Sequence, residues 1–256
     1  MYLKEFDQLV KIMKQLRKDC PWDKIQTPES LRQYIIEEAY ETVESIDNKD
    51  WDELKKELGD LLLQVVFQAE IAEEKNRFTL ENVIQHINEK LIERHPHVFG
   101  DVSVKNAKEV KDNWEQIKVK KENRQSILDG LPKIMNALLL AQRVQDKASQ
   151  VGFDWEQTQD VTKKIKEEID ELEESIKHNH PEEIEEEIGD LLFSIVNFCR
   201  FLTINAEDAL RKTTRKFITR FQYIEKKLLE KNQPLEKTTL KEMDKLWEEA
   251  KKRSNY

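Results

Sequence analysis

Pairs of acidic residues spaced three apart recur along this sequence, and their type and spacing suit the binding of a hard divalent cation. Residues three apart on a helix share a face, so each pair can direct two carboxylates to one point. Carboxylate oxygens are the ligands that Mg²⁺ or Mn²⁺ prefers. A di-iron carboxylate bundle would need Glu-x-x-His pairs, and no histidine stands at these positions. The pairs in the second half predict a metal site built from Glu168, Glu171, Glu187 and Asp190.

The same pairs occur earlier in the chain, which indicates a duplicated helical unit. EEAYE from Glu37 is repeated as EEIDE from Glu167, and ELGDLL from Glu57 is repeated as EIGDLL from Glu187. In both cases the later motif follows the earlier one by 130 positions. Single acidic pairs are common on solvated helix faces, but a pair of pairs repeated at one separation favours a metal site over a structural accident. The equivalent acids of the first copy are Glu38, Glu41, Glu57 and Asp60.

A basic pair and a tryptophan follow the acids in each copy. Lys216 and Arg220 are four apart and share a helix face, and Trp247 lies near the end of the chain. Cations beside a metal-loaded acidic cluster suit a polyphosphate, because they neutralise the oxygens that the metal leaves uncovered. Two alternatives stay open: the basic stretch can be a solvated face, and Trp247 can pack rather than stack on a base. The counterparts in the first copy are Lys90, Arg94 and Trp114.

Helices must position these residues, since apolar positions recur at helical spacing almost throughout. In the first half they predict helices around residues 6–13, 31–46, 54–65 and 83–91. Thr27 and Pro28 are placed to start the second of these, and Pro96 to end the fourth. Five glycines and six prolines, with 37% charged residues, favour long exposed helices over a strand-rich fold. The prediction is an all-α fold with domains at 1–121 and 132–256, joined by a linker at 122–131 that contains Asp-Gly and Pro.

Composition excludes several classes of protein. The net charge of −9 argues against a non-specific nucleic-acid binder, which would need a broad basic surface. The two cysteines, Cys20 and Cys199, have no ligand-like spacing and indicate a reducing compartment. The N-terminus has no apolar signal core, and no stretch approaches the roughly 18 apolar residues of a spanning helix. A cytoplasmic protein without membrane or nucleic-acid partners is predicted. Trp22 and Trp155 are interpreted as core anchors.

The repeated acidic motifs, with CPWDKIQT from Cys20 and VGFDW from Val151, resemble the MazG family of nucleoside triphosphate pyrophosphohydrolases over essentially the whole chain. The resemblance implies two tandem four-helix-bundle-like MazG domains whose helices pack across a homodimer. It further implies dependence on Mg²⁺, cleavage between the α- and β-phosphates, and acceptance of ribo- and deoxyribonucleoside triphosphates with broad base specificity. In two-copy members of the family, the C-terminal copy is the catalytic one.

The resemblance also implies roles for individual residues of the second copy. Relatives can place a lysine just before the second acidic motif, where this chain has Glu182 and Glu183, and Lys164 is the candidate to replace that phosphate contact. The implied metal ligands are Glu168, Glu171, Glu187 and Asp190. The implied catalytic residues, which position or deprotonate water, are Glu167 and Glu186. The implied substrate-binding residues are Lys164, Lys216, Arg220 and Trp247.

The predicted function is therefore Mg²⁺-dependent hydrolysis of nucleoside triphosphates to monophosphates and pyrophosphate, with Mn²⁺ as a substitute ion. A Walker-type ATPase is excluded as the template, because GxxxxGK[ST] does not occur. Two alternatives belong to other classes. The chain could be a regulatory module that binds metal and nucleotide without turnover, or a helical interaction scaffold whose acids are only solvated.

Overall fold

The computed structural model describes residues 2–106, 109–110 and 126–253, and it divides the chain into two compact units, Met1–Ile117 and Lys118–Tyr256. Within these described stretches the regular structure is helical and no strand occurs, as the all-α prediction requires. The predicted linker at 122–131 falls partly outside the described residues, so the domain limits stay a prediction.

The described helices of the first unit include the long hairpin that carries its acids. The helices are α1 (Tyr2–Asp19), α2 (Pro21–Lys24), α3 (Arg32–Asn48), α4 (Trp51–Glu74), α5 (Leu80–Arg94) and α6 (Pro96–Phe99). Helix α3 ends where Lys49 adopts the left-handed conformation, with φ of 56°. Asp50 then caps α4 by accepting hydrogen bonds from the backbone N–H groups of Asp52 and Glu53. A connection this short makes α3 and α4 antiparallel neighbours.

The second unit repeats this hairpin. Its described helices are α7 (Ala137–Ser149), α8 (Thr158–His178), α9 (Pro181–Phe201), α10 (Ala206–Glu230) and α11 (Leu240–Arg253), with a 3₁₀ turn at Leu235–Lys237. Asn179 ends α8 in the left-handed conformation, with φ of 56°, and Pro181 opens α9 at a position where its missing N–H costs nothing. Helices α8 and α9 therefore pair as α3 and α4 do.

The pattern of buried residues also repeats between the two hairpins. The buried residues Leu31, Ser45 and Val66 of the first hairpin have buried counterparts 130 positions later. In the first unit, Leu31 and Val66 belong to a core that also contains Met13, Phe67 and Ile71. In the second unit a separate cluster of Ile224, Leu228 and Leu246 packs between α10 and α11. The duplication inferred from the motifs is confirmed in the three-dimensional structure.

Two local expectations need correction. Helix α3 begins at Arg32 rather than at Thr27. Thr27 and Ser30 exchange hydrogen bonds of 2.9 and 3.2 Å between backbone N–H and side-chain oxygen, and these bonds belong to a separate turn just before α3. Trp22 and Trp155 are not core anchors, since about half of each side chain is exposed. The prediction that α5 ends at His95 and Pro96 is confirmed. No helix in the described part of the chain is long and apolar enough to cross a membrane.

Candidate active site

Three of the four predicted metal ligands converge between α8 and α9. Glu168, Glu171 and Glu187 each offer a carboxylate oxygen, and these oxygens lie within 4.8 Å of one another. Glu168 is buried, Glu187 is half-buried and Glu171 is exposed. The hairpin geometry explains the convergence, because Glu168 and Glu171 share one face of α8 and Glu187 faces them from α9. We call these three residues the C-terminal acidic cluster.

The first copy forms the same arrangement. Glu38 and Glu41 of α3 and Glu57 of α4 also bring carboxylate oxygens within 4.8 Å of one another. A polar concavity of about 330 Å³ lies beside them, lined by further acids of α3 and α4. The two clusters are therefore equivalent in backbone position and in ligand type, and the acids alone do not distinguish the two copies.

Asp190 lies one turn beyond Glu187 on α9 and is exposed. Its charge reaches the cluster, because Asp190 is among the acids that raise the pKa of Glu187. The largest cause of that rise is burial of the Glu187 carboxyl, followed by repulsion from Glu171, Asp190, Glu168 and Glu186. Burial is likewise the first cause of the raised pKa values of Glu38 and Glu57. In both clusters, burial and mutual repulsion thus disfavour the ionised form of these carboxyl groups.

Lys164 lies one turn before the C-terminal acidic cluster on α8, and it contacts Glu168 of the cluster and the adjacent Glu167. Its Nζ donates to Glu167 at 2.8 Å and lies 2.7 Å from a carboxylate oxygen of Glu168. These contacts, that to Glu167 first, raise the pKa of Lys164 well above its usual range, so its ammonium stays charged throughout the neutral range. The predicted catalytic residues Glu167 and Glu186 are both exposed beside the cluster.

The three remaining predicted residues lie together, on α10 and α11. The Arg220 guanidinium sits over the Trp247 ring, 5.6 Å from its centroid, and the Phe217 ring lies 5.2 Å from that of Trp247. Trp247 packs against the Ile224, Leu228 and Leu246 core, while Lys216 is exposed. Of their first-copy counterparts, Trp114 lies outside the described residues.

A cavity of about 810 Å³ opens beside the C-terminal acidic cluster. Lys164, Glu168 and Asp190 line it, and Lys216, Arg220 and Trp247 do not. Its wall continues along one face of α9 through Asp190, Phe193, Asn197 and Arg200. From the rise of an α-helix, these ten residue steps span roughly 15 Å. The cavity therefore extends from the acids to Phe193, Asn197 and Arg200, none of which is a predicted site residue.

At three positions equivalent to the lining of this cavity, the first copy has large side chains that pack in its core. Asn197 corresponds to Phe67, which is only 3% exposed and belongs to the core around Met13. Phe193 corresponds to Leu63, and Lys164 corresponds to Tyr34; both of these first-copy residues pack against the same core. At these three positions, packing against the core in the first unit takes the place of cavity lining in the second.

The raised pKa of Glu187 gives a first prediction, on stability. A carboxyl whose folded pKa is raised contributes stability at pH values below its unfolded pKa, and that contribution is lost as the pH rises through the folded pKa. Glu187→Gln removes the charge, so it is expected to raise the Tm of the metal-free protein at about pH 7.5, and the gain should fade toward about pH 4. Thermal melts in chelator at both pH values measure this. Glu185→Gln, exposed on the same helix outside the cluster, is the matched control, and a pH-independent gain would contradict the assigned repulsion.

Comparison of the sequence with known proteins identifies the family and relatives of this chain. The chain matches the family model described as MazG nucleotide pyrophosphohydrolase domain over residues 26–99 and 156–224. It is 49% identical over 250 residues to a protein of Thermotoga maritima named nucleoside triphosphate pyrophosphohydrolase/pyrophosphatase MazG, covering 96% of this chain and 95% of that one. It is 40% identical over 258 residues to the nucleoside triphosphate pyrophosphohydrolase of Escherichia coli K12, covering 98% of each. The two matched segments contain both acidic clusters.

Proposed function

We propose, for a chain that belongs to the MazG nucleotide pyrophosphohydrolase family, that its second copy carries the catalytic site of a magnesium-dependent enzyme. The enzyme is a nucleoside triphosphate pyrophosphohydrolase, which releases pyrophosphate and a nucleoside monophosphate. The observation that carries the assignment to the second copy is the size of the cavity that Glu168 and Asp190 line, about 810 Å³ against about 330 Å³ beside the first cluster. At three equivalent positions of the first copy, Tyr34, Leu63 and Phe67 pack against the core instead.

The donor set of the C-terminal acidic cluster fits a hard divalent cation. Its ligand atoms are carboxylate oxygens only, they approach within 4.8 Å of one another, and the pKa of Glu187 is raised by burial and mutual repulsion. Glu168, Glu171, Glu187 and Asp190 would hold Mg²⁺, with Mn²⁺ as a substitute ion. When bound, the cation supplies charge neutralisation for the phosphates and polarises the scissile phosphoryl group. It also removes the repulsion among the acids that hold it.

Lys164 is placed to bind the triphosphate, and this binding would free the Glu167 carboxylate to act as a general base. Its ammonium donates to Glu167 and contacts Glu168 in the free protein, and it lines the cavity. A phosphate oxygen that takes over the contact from Glu167 leaves the Glu167 carboxylate free to accept a proton from water. Glu186, exposed next to Glu187, is the second residue that orients this water. We also propose that Lys216 and Arg220 stabilise the charge of the leaving pyrophosphate and that Trp247 contacts the nucleotide. These residues lie on α10 and α11 outside the cavity lining, so the substrate must extend beyond the cavity to reach them.

Product analysis tests the reaction. Purified protein with Mg²⁺ is expected to convert triphosphates to monophosphate and pyrophosphate, because the acids and Lys164 surround the part of the cavity where phosphates bind. Chelator should abolish turnover and excess Mg²⁺ should restore it. Orthophosphate with diphosphate as the products would contradict the bond that we assign. Nucleotide binding with no product would favour the regulatory module instead, and the absence of both metal and nucleotide binding would favour the scaffold.

We also propose that the enzyme is a homodimer. Helices α8 and α9 leave apolar residues at helical spacing open to solvent, namely Ile169 and Ile176 on α8 and Ile188, Leu192 and Ile195 on α9. Contiguous exposed apolar faces of this kind mark protein–protein contacts. Among the described residues, a Cβ added at Gly189 would meet no heavy atom within 4 Å, so this face of α9 is open to approach by another helix. Light scattering on the purified protein should give twice the chain mass, and Leu192→Asp should shift it toward the monomer.

The setting proposed for the enzyme is the cytoplasm, where nucleoside triphosphates are abundant. Cys20 and Cys199 are both free thiols, as a reducing compartment favours. The net charge of −9 agrees with a small-molecule substrate delivered as a metal complex rather than with a nucleic-acid partner.

A further inference from the structure

One wall of the cavity in the second unit comes from a turn that precedes the helices of that unit. Leu128 lines the cavity, and it belongs to a turn at residues 126–130, within the segment predicted to link the two copies. The other lining residues lie on α7, α8, α9 and the segment between α7 and α8. The role of this wall rests on the proposed function, because it concerns how the cavity holds the triphosphate.

The 126–130 turn is shaped by its own hydrogen bonds. The backbone N–H of Ser126 donates to Asp129 Oδ2 at 2.8 Å, and the backbone N–H of Asp129 donates to the carbonyl oxygen of Ser126 at 3.1 Å. The backbone N–H of Leu128 donates to the Ser126 hydroxyl at 3.1 Å. Gly130 follows with φ of 79°, a left-handed conformation that glycine adopts without strain. These bonds give the turn a defined shape, but they do not attach it to the helices.

Lys147 of α7 makes that attachment. Its Nζ donates to the carbonyl oxygen of Ile127 at 2.9 Å, and only 4% of the residue is exposed. Burial of an ammonium group is costly unless hydrogen bonds compensate for the lost water. An apolar side chain of similar length would fill the same space at a lower cost if packing were the only requirement. The buried charge therefore indicates that this position is used for its hydrogen bonding.

The first copy supports this interpretation of Lys147. The equivalent residue, 130 positions earlier, is Arg17, whose side chain is also only 8% exposed. Arg17 donates to the backbone carbonyl oxygens of Asp23 and Gln26. A buried cation that holds a neighbouring stretch of backbone thus recurs at this position. In the second copy the stretch that it holds is the turn that carries Leu128.

We propose that Lys147 is a positioning residue for the reaction of the second copy, because it holds the 126–130 turn where Leu128 closes one side of the catalytic cavity. Val144 and Ala148 of α7 line the cavity and Lys147 does not, so Lys147 acts through the turn and not on the substrate. A wall that is fixed before the substrate arrives removes the cost of ordering a loop during binding. The predicted linker then contributes to the site as well as joining the two copies.

The first experiment measures the kinetics of pyrophosphate release from ATP. Lys147→Met keeps the length of the side chain and removes the donor, so KM should rise about tenfold while kcat stays within about twofold, the pattern of a lost binding contribution. Lys147→Arg should keep KM within about threefold of wild type, because arginine keeps a donor for the carbonyl oxygen. Arg143→Met is the matched control on α7, since Arg143 pairs with Asp146 and does not line the cavity.

Leu128→Ala tests the wall without disturbing the buried charge. Leu128 is 40% exposed, so its truncation should leave the Tm nearly unchanged and should raise KM as Lys147→Met does. The double variant should show no rise in KM beyond that of the larger single variant, because both substitutions remove the same wall. A wild-type KM in Leu128→Ala would overturn the proposal, even if Lys147→Met failed to fold.

Hydrogen exchange measured by mass spectrometry gives a readout that does not depend on turnover. Lys147→Met should speed exchange in the peptide that contains residues 126–131, while α8 and α9 keep wild-type rates. Mg²⁺ with α,β-methylene-ATP, which cannot release pyrophosphate, should slow exchange of the same peptide in the wild-type protein. Unchanged exchange of this peptide in Lys147→Met would overturn the attachment. Faster exchange throughout the second unit would also overturn it, because Lys147 would then serve overall stability.

Failure of this inference is distinct from failure of the proposed function. A wild-type KM in both Lys147→Met and Leu128→Ala would overturn the inference while pyrophosphate release continues. A rise in KM for Lys147→Met that Lys147→Arg shares in full would also contradict the assigned hydrogen bond. A wild-type protein that releases pyrophosphate from no triphosphate would refute the proposed function and the role of the wall together.

Discussion

Glu171→Gln is expected to lower kcat/KM by at least about a hundredfold, while Glu41→Gln leaves most of the activity, although the two residues occupy equivalent places in the repeat. The loss follows from removal of a metal ligand in a cluster that needs every carboxylate to hold the cation beside the triphosphate. The stability of the apo protein should not fall, because a neutral amide reduces repulsion within the cluster. Steady-state pyrophosphate release and thermal melts of both variants measure the two expectations.

The expected asymmetry has two physical sources. Glu168, in the same cluster as Glu171, lines the larger cavity that we propose accepts the substrate, whereas Phe67, Leu63 and Tyr34 pack with the core at three matching positions of the first unit. The charge also differs, with twelve acids against one lysine between Glu167 and Asp190 and three lysines between Glu37 and Asp60. A more negative cleft concentrates divalent cations more strongly. Comparable losses from the two substitutions would show that both copies work, and the apolar packing of the first unit would then not exclude substrate.

Lys164→Ala is expected to lower kcat/KM by about tenfold to a hundredfold, the value of one charge-assisted contact to the triphosphate. Lys164 lines the cavity with Glu168 and Asp190, and its raised pKa keeps it charged throughout the neutral range. The size of the loss should therefore stay constant between about pH 6.5 and 8.5. Initial rates across substrate concentration at several pH values provide the measurement.

Lys216→Ala is the matched comparison, since it removes the same charge from an exposed position on α10 that does not line the cavity. A smaller loss in Lys216→Ala would place the main phosphate contact on α8. A larger loss in Lys216→Ala than in Lys164→Ala would mean that the triphosphate reaches the basic pair of α10, as the motif spacing predicts. No loss in either variant would remove both lysines from the substrate-binding set.

The sequence by itself determined the helices and the clustering of the acids. Side chains three apart share a helix face in any tertiary context, so Glu168 and Glu171 had to point together once α8 formed. The repeat at 130 positions then required the same cluster around Glu41, and the structure contains both. Helix ends were less secure: Thr27 and Ser30 form reciprocal bonds typical of a helix start, yet they cap a separate turn and α3 begins only at Arg32.

Only the tertiary structure shows that a cavity of about 810 Å³ joins the C-terminal acidic cluster and which residues line it. Asn197 and Phe67 occupy the same register position, but whether a cavity or a core forms there depends on the helix packed against it, and no local pattern encodes that packing. From the sequence, Trp155 is interpreted as a core anchor. In the structure, the ion pair between Arg200 and Asp154 holds the segment of Trp155 beside an open cavity. Contacts between residues 46 apart in the chain depend on how whole helices pack, and spacing along one helix cannot reveal them.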